Sequence, residues 1–121
     1  MFDTRSKIIA PADFLSYAEA RPDHIIVCGY FDPMWAPHAQ RLTALAPNGK
    51  LLVIVEPMES PLLTSQARAE LVASFGITER VTIAQDTSLR QTLGLRCNDE
   101  RLGDQQRYQD LAAHVRKRNN V

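Results

Sequence analysis

The chain has 121 residues, of which 45% are hydrophobic and 23% charged, with a formal net charge of zero. That length suits a single domain spanning 1–121, able to bury a core without disulfides or metals. The balanced charge excludes the basic footprint of a nucleic-acid binder and no apolar run is long enough to span a bilayer, so a soluble, cytoplasmic protein without nucleic-acid or membrane partners is expected.

Ile8-Ile9 reads as a short edge element. Pro11 suits a first helical position, and Ala12 to Ala20 reads as a helix with Phe14, Leu15 and Ala18 inward. Arg21-Pro22-Asp23 breaks it, and residues 24–28 form the first clear strand. Cys28 in that strand reads as a small core residue, and its spacing from Cys97 is neither a metal nor a redox spacing. His24 reads as structural.

The stretch Gly29-Tyr30-Phe31-Asp32-Pro33-Met34-Trp35-Ala36-Pro37-His38 follows, and Pro37 to Ala46 reads as a helix ended by Pro47-Asn48-Gly49. Lys50 to Val55 is apolar enough for a strand covered on both faces. The prolines of Glu56-Pro57-Met58-Glu59-Ser60-Pro61 make the next segment a loop.

Thr64 or Ser65 can cap a helix running to Phe75, with Ala67, Leu71, Val72 and Phe75 on one face and Gly76 as the stop. Residues 81–84 read as a third strand. Asp86 or Thr87 opens a short helix with Leu89 and Leu93 inward, and Leu95 to Cys97 reads as a small final strand. Asp104 can cap a last helix to about Lys117, with Tyr108, Leu111, Ala112 and Val115 on one face. His114 on that helix reads as exposed, and Arg116-Lys117-Arg118 as cations placed against its macrodipole.

This alternation predicts an α/β fold: a three-layer, Rossmann-like sandwich with a mostly parallel sheet. Ligands in such sheets sit beyond the carboxyl ends of the strands, near the switch in strand order. The 29–38 loop, the 56–63 loop and the segment after Ala84 are expected there. No nucleophile–base pair and no metal-site spacing stands out.

Gly29, Phe31, Asp32 and His38 match in register the strand, G-x-F-D-x-x-H-x-G-H, helix pattern of the cytidylyltransferase-like nucleotidyltransferases. Gln66-Ala67-Arg68-Ala69-Glu70-Leu71 resembles that family's E-R-x-E-L helix. Over roughly residues 7–95 the chain is most similar to the adenylyltransferase half of bacterial ADP-heptose synthases and to glycerol-phosphate cytidylyltransferases. The resemblance implies transfer of a nucleoside monophosphate from a nucleoside triphosphate, with Mg²⁺, to a phosphorylated sugar or polyol. It implies His38 as a catalytic donor to phosphate oxygens, and Gly29, Tyr30, Phe31, Asp32, His38 and Arg68 as nucleotide contacts. The family's members are often dimers; the sequence shows no interface.

The motif is altered where the chemistry lies. Trp35 stands at the first histidine's place and Pro37 at the glycine's. An indole has one N–H and no positive charge, and proline has no N–H to offer phosphate. No lysine falls between Lys50 and Lys117, and the family's C-terminal I-S-T-T-like motif is missing, Thr87-Ser88 coming too early for it. Three readings follow. One is a nucleotide-binding protein with weak or altered transfer; another is an inactive pseudoenzyme serving as an interaction or dimerisation module; the third is a different small ligand, such as a mononucleotide or sugar phosphate, bound in the same cleft without transfer. Single residues carry alternatives too. His38 is a cap or a ligand contact, Asp32 a turn residue or a ligand or metal contact, Trp35 an apolar anchor or a base stacker, and Arg68 a solvated or a phosphate-binding side chain.

Overall fold

The two near-continuous apolar runs form the centre of the sheet. The structure, a computed structural model, describes residues 3–119. The strands β1 (Ile25–Gly29), β2 (Leu51–Val55), β3 (Thr78–Ile83) and β4 (Cys97–Asp99) pair in the order β3-β2-β1-β4. Every pairing among them is parallel, with Ile25 opposite Leu51, Val53 opposite Val81 and Val27 opposite Asn98. Ile8 makes the expected edge contact, a parallel bridge to Val81.

All five residues of β2 are buried, as a strand covered on both faces requires. Alternate side chains enter different clusters. Leu51, Val53 and Val55 pack with Leu42, Ala69 and Val72, whereas Leu52 and Ile54 pack with Phe14, Ala18 and Leu89. One face is therefore covered by α2 (Ala36–Leu45) and α3 (Ser65–Ser74), the other by α1 (Pro11–Glu19) and α4 (Ser88–Leu93). The steps β1 to β2 and β2 to β3 run one way with their helices on one face. The step from β3 to β4 runs back with α4 on the other face, as right-handed crossovers demand. The result is an α/β, Rossmann-like three-layer arrangement. Its strand order reverses at β1, so the crevice of such a sheet falls where β1 and β4 end, at Gly29 and Asp99.

Several details differ from the sequence reading. The third strand runs Thr78–Ile83, starting three residues before the expected residue 81 and ending before Ala84. In α3 the buried residues are Arg68, Ala69, Val72 and Ala73, while Leu71 is exposed; two alanines let the helix approach the sheet, and Arg68 finds backbone carbonyls there. Gly76 is not the left-handed stop of α3, which ends at Ser74 with Phe75 extended. The last strand is Cys97–Asp99, and Leu95 lies in a 3-10 turn, fully exposed. Finally, α5 (Arg101–Asn119) begins three residues before Asp104, so Asp104 is not its cap; an Asp99 oxygen accepts from the Arg101 N–H instead. The apolar face of α5 is partly covered, with Leu111 and Ala112 half-buried but Tyr108 and Val115 exposed. The longest helix notwithstanding, none among the described residues is long and apolar enough to cross a membrane.

Truncating a central side chain leaves a cavity that rigid neighbours cannot fill. Leu52→Ala is expected to cost about 3 kcal/mol in denaturant unfolding, and Leu95→Ala to stay within about 0.5 kcal/mol of the parent.

Candidate functional site

The loop leaving β1 is built by three anchors. Phe31 takes a left-handed backbone (φ 51°) and puts its ring into the core. Such a conformation costs a non-glycine residue about 1–2 kcal/mol, which burying a phenyl ring offsets with about 2–3 kcal/mol. Asp32 comes next, and its two carboxylate oxygens accept from the backbone N–H groups of Leu62 and Leu63, each at 2.7 Å. It thereby ties the loop after β2 to the loop after β1. Arg68 is the third anchor. Only 1% exposed, it donates from Nη1 to the carbonyls of Tyr30 and Glu56, each at 3.0 Å, and from Nη2 to Ser65 Oγ. Its charge joins the ends of β1 and β2 from beneath.

Trp35 is the residue before α2 and Pro37 the second residue within it. The first-turn amides that could meet an anion are few. Pro37 has none, and the N–H groups of His38 and Ala39 both reach the Trp35 carbonyl. The Trp35 ring does not enter the crevice; it lines a shallow depression with Met34, Ala39, Leu71 and Phe75, its indole N–H buried without a partner. His38 is 2% exposed. Its Nδ1 accepts from the Trp35 N–H at 3.2 Å, which leaves the ring proton on Nε2.

The crevice at the switch in strand order is occupied by a side chain that sequence reading took for a helix cap. Asp104 is 3% exposed, and its Oδ2 accepts from the Tyr30 N–H at 2.6 Å. Its Oδ1 accepts from Arg107 Nη1 at 3.1 Å and lies 3.0 Å from His38 Nε2. The approach is possible because residue 29 is glycine: a Cβ there would collide with Oδ2 of Asp104. Ion pairs brace the helix start, with Glu100 accepting from Arg41 at 2.9 Å and from Arg107 at 3.0 Å.

Beside this contact lies a cavity of about 400 Å³. Tyr30, Asp32, Pro33 and His38 form one wall, while Asp104, Gln105 and Tyr108 of α5 face them. Met58 reaches it from the loop after β2, but the segment after Ala84 does not; α5 takes the place expected for that segment. Among the described residues no lysine or arginine lines it, and two carboxylates do. Met58 comes from the 56–63 loop expected there, whereas the contribution of α5 was missed because it depends on long-range packing. The one local signal was an acid in the first turn of the helix that follows the edge strand.

Of the expected site residues, Gly29, Tyr30, Asp32 and His38 come together around this crevice. Phe31 and Arg68 lie beneath it as supports, and Trp35 and Pro37 stand at the helix start beside it. His24 is held between Asp23 and Glu79, and His114 is exposed. No group of three or more His, Cys, Asp or Glu among the described residues could hold a metal ion. Comparison with models of known protein families and with curated proteins finds no match to this chain.

At the end of β2, Glu56 is buried with its Oε1 3.3 Å from Arg90 Nε, and burial raises its carboxyl above the usual range despite the nearby guanidinium. A raised pKa in the folded state means that folding favours the protonated form, so stability falls as pH rises from the unfolded value of 4.5. Glu56→Gln is expected to raise the melting temperature near pH 7 relative to the parent, with the gap closing as pH approaches 4.5. Arg68→Ala strands two carbonyls and opens a void. It is expected to cost about 3 kcal/mol, read by denaturant unfolding.

Proposed function

We propose that this chain is a nucleotidyltransferase-like domain that does not carry out nucleotidyl transfer, a pseudoenzyme whose fold serves as an interaction module. One observation carries the reading: the Asp104 carboxylate sits on the Tyr30 N–H and beside His38, where the resemblance would put a phosphate. A carboxylate at that point repels a triphosphate at close range and takes the Tyr30 N–H that a phosphate oxygen would use. The rest of the crevice supports this. Pro37 removes one amide, Trp35 turns its ring away, and Arg68 spends its charge on backbone carbonyls. Losing one preorganised donor to developing charge typically costs about 10²–10³ in rate, and here several are missing together. The exposed Leu102, Tyr108 and Val115 of α5 offer apolar contacts to a partner.

The Mg²⁺ that the resemblance implies does not fit the residues present. Both oxygens of Asp32 and both of Asp104 are engaged within the protein, and no cluster of metal-binding side chains stands beside them among the described residues.

A second reading, nucleotide binding without efficient transfer, is favoured by the cavity beside His38. Its volume of about 400 Å³ falls within the range of small-ligand sites. The two are separated by a pyrophosphate-release assay with ATP or CTP, Mg²⁺ and a panel of sugar and polyol phosphates, beside calorimetry with each nucleotide. No release from the parent chain is expected. The Trp35→His, Pro37→Gly double variant is also expected to stay inactive, because Asp104 still fills the crevice. Turnover by the parent would overturn the proposal.

A further inference from the structure

We propose that α5 is a built-in competitor: Asp104 holds an oxyanion site closed, and an external oxyanion binds there by displacing the start of α5. The inference rests on reading the 29–38 loop as a modified phosphate cradle, and it adds the regulation of that site.

Three observations carry it. The first is the nature of the Asp104 contact. An ionised oxygen 2.6 Å from a backbone N–H is a short, charge-assisted bond, and the glycine beneath leaves room for an oxygen that any side chain would exclude. The cradle thus already binds an anionic oxygen, supplied by the protein itself.

The second is that Asp104 fits the cradle incompletely. His38 Nε2 lies 3.0 Å from Oδ1, yet the oxygen is off the line of the ring N–H and makes no hydrogen bond with it. Because Nδ1 is fixed by the Trp35 N–H, this Nε2 donor is buried, unpartnered and on the cavity wall. A buried donor without an acceptor carries a desolvation cost. A planar carboxylate serves the Tyr30 N–H but misses the His38 ring. A tetrahedral oxyanion presents oxygens in more directions and can serve both.

The third is how lightly α5 is held. From Arg101 to Lys117, Asp104 is the single buried residue. Its neighbours are fixed by the partly exposed pairs of Glu100 with Arg41 and Arg107. The Arg107 pair lies within the helix start itself, and the Arg41 pair, which does reach another element, has a half-exposed guanidinium and so stabilises weakly and is screened by salt. The buried carboxylate is thus the main attachment of the helix start. A ligand that takes its place releases α5, and with it Tyr108 and Gln105 leave the cavity wall.

The competition makes a quantitative statement. An intramolecular occupant lowers apparent affinity by the fraction of molecules in which the site is open. Removing its charge should therefore tighten oxyanion binding without adding any contact. The probe is inorganic pyrophosphate, which carries the oxyanion chemistry without a base; ATP in a parallel arm reports whether a nucleoside adds to it. Calorimetry compares the parent, Asp104→Asn and Asp110→Asn, the last removing the same charge from an exposed position of α5. Asp104→Asn is expected to bind pyrophosphate at least about tenfold tighter than the other two. Hydrogen exchange on the unmodified chain is expected to speed up over residues 101–107 when pyrophosphate is added. Equal affinity in all three proteins, or no binding by any, would overturn the competitor, as would binding by the parent with α5 exchange unchanged. If Asp104→Asn does not fold, the exchange measurement alone decides. Pyrophosphate binding is separate from transfer, so a positive result here with no turnover leaves the pseudoenzyme reading intact; turnover by the parent overturns that reading whatever α5 does, and binding without α5 release removes this inference alone.

Discussion

A carboxylate in the crevice of the sheet is the contact on which the site depends. Parallel α/β sheets leave an opening where the strand order reverses, because the connections on either side depart in opposite directions. In this chain that opening lies between the ends of β1 and β4, and the helix following β4 sends Asp104 back into it. The contact needs Gly29 to admit it, the Tyr30 N–H to receive it and Arg107 to balance its charge. It also sets the wall of the neighbouring cavity, since Asp104 is the buried residue by which α5 is held there.

Beneath that contact, two charged side chains are spent on architecture. Arg68 satisfies carbonyls at the ends of β1 and β2, and Asp32 satisfies two amides of the loop after β2. Buried polar backbone must find partners, and here these side chains supply them. A guanidinium and a carboxylate that could have met a nucleotide instead hold the loops in register. The cost is chemical: little positive charge remains facing the cavity.

The sheet and most helices were legible in the sequence because their signals are local. The uninterrupted apolar run of β2 demands cover on both faces, and Thr64 and Thr87 stand where α3 and α4 begin. The register of α3 was not legible, because Arg68 counts as polar in any periodicity and is buried only by carbonyls from two other elements. Asp104 was misread for the same reason. In sequence it is an acid near a helix start, a common cap. Its actual partner, Tyr30, is 74 residues away, and no spacing rule connects them. The altered positions Trp35 and Pro37 could be seen in the sequence, but not that the Trp35 ring leaves the crevice.

The Tyr30 amide tests the central contact most directly. A short bond to an ionised, buried oxygen deshields the amide proton and protects it from exchange. In a proton–nitrogen correlation spectrum, the Tyr30 amide is predicted to lie well downfield and to exchange slowly, although it belongs to a loop. Both features should be lost in Asp104→Ala, while the amides of β2 keep their shifts. A Tyr30 amide at an ordinary shift, exchanging freely in the unmodified chain, would contradict the account.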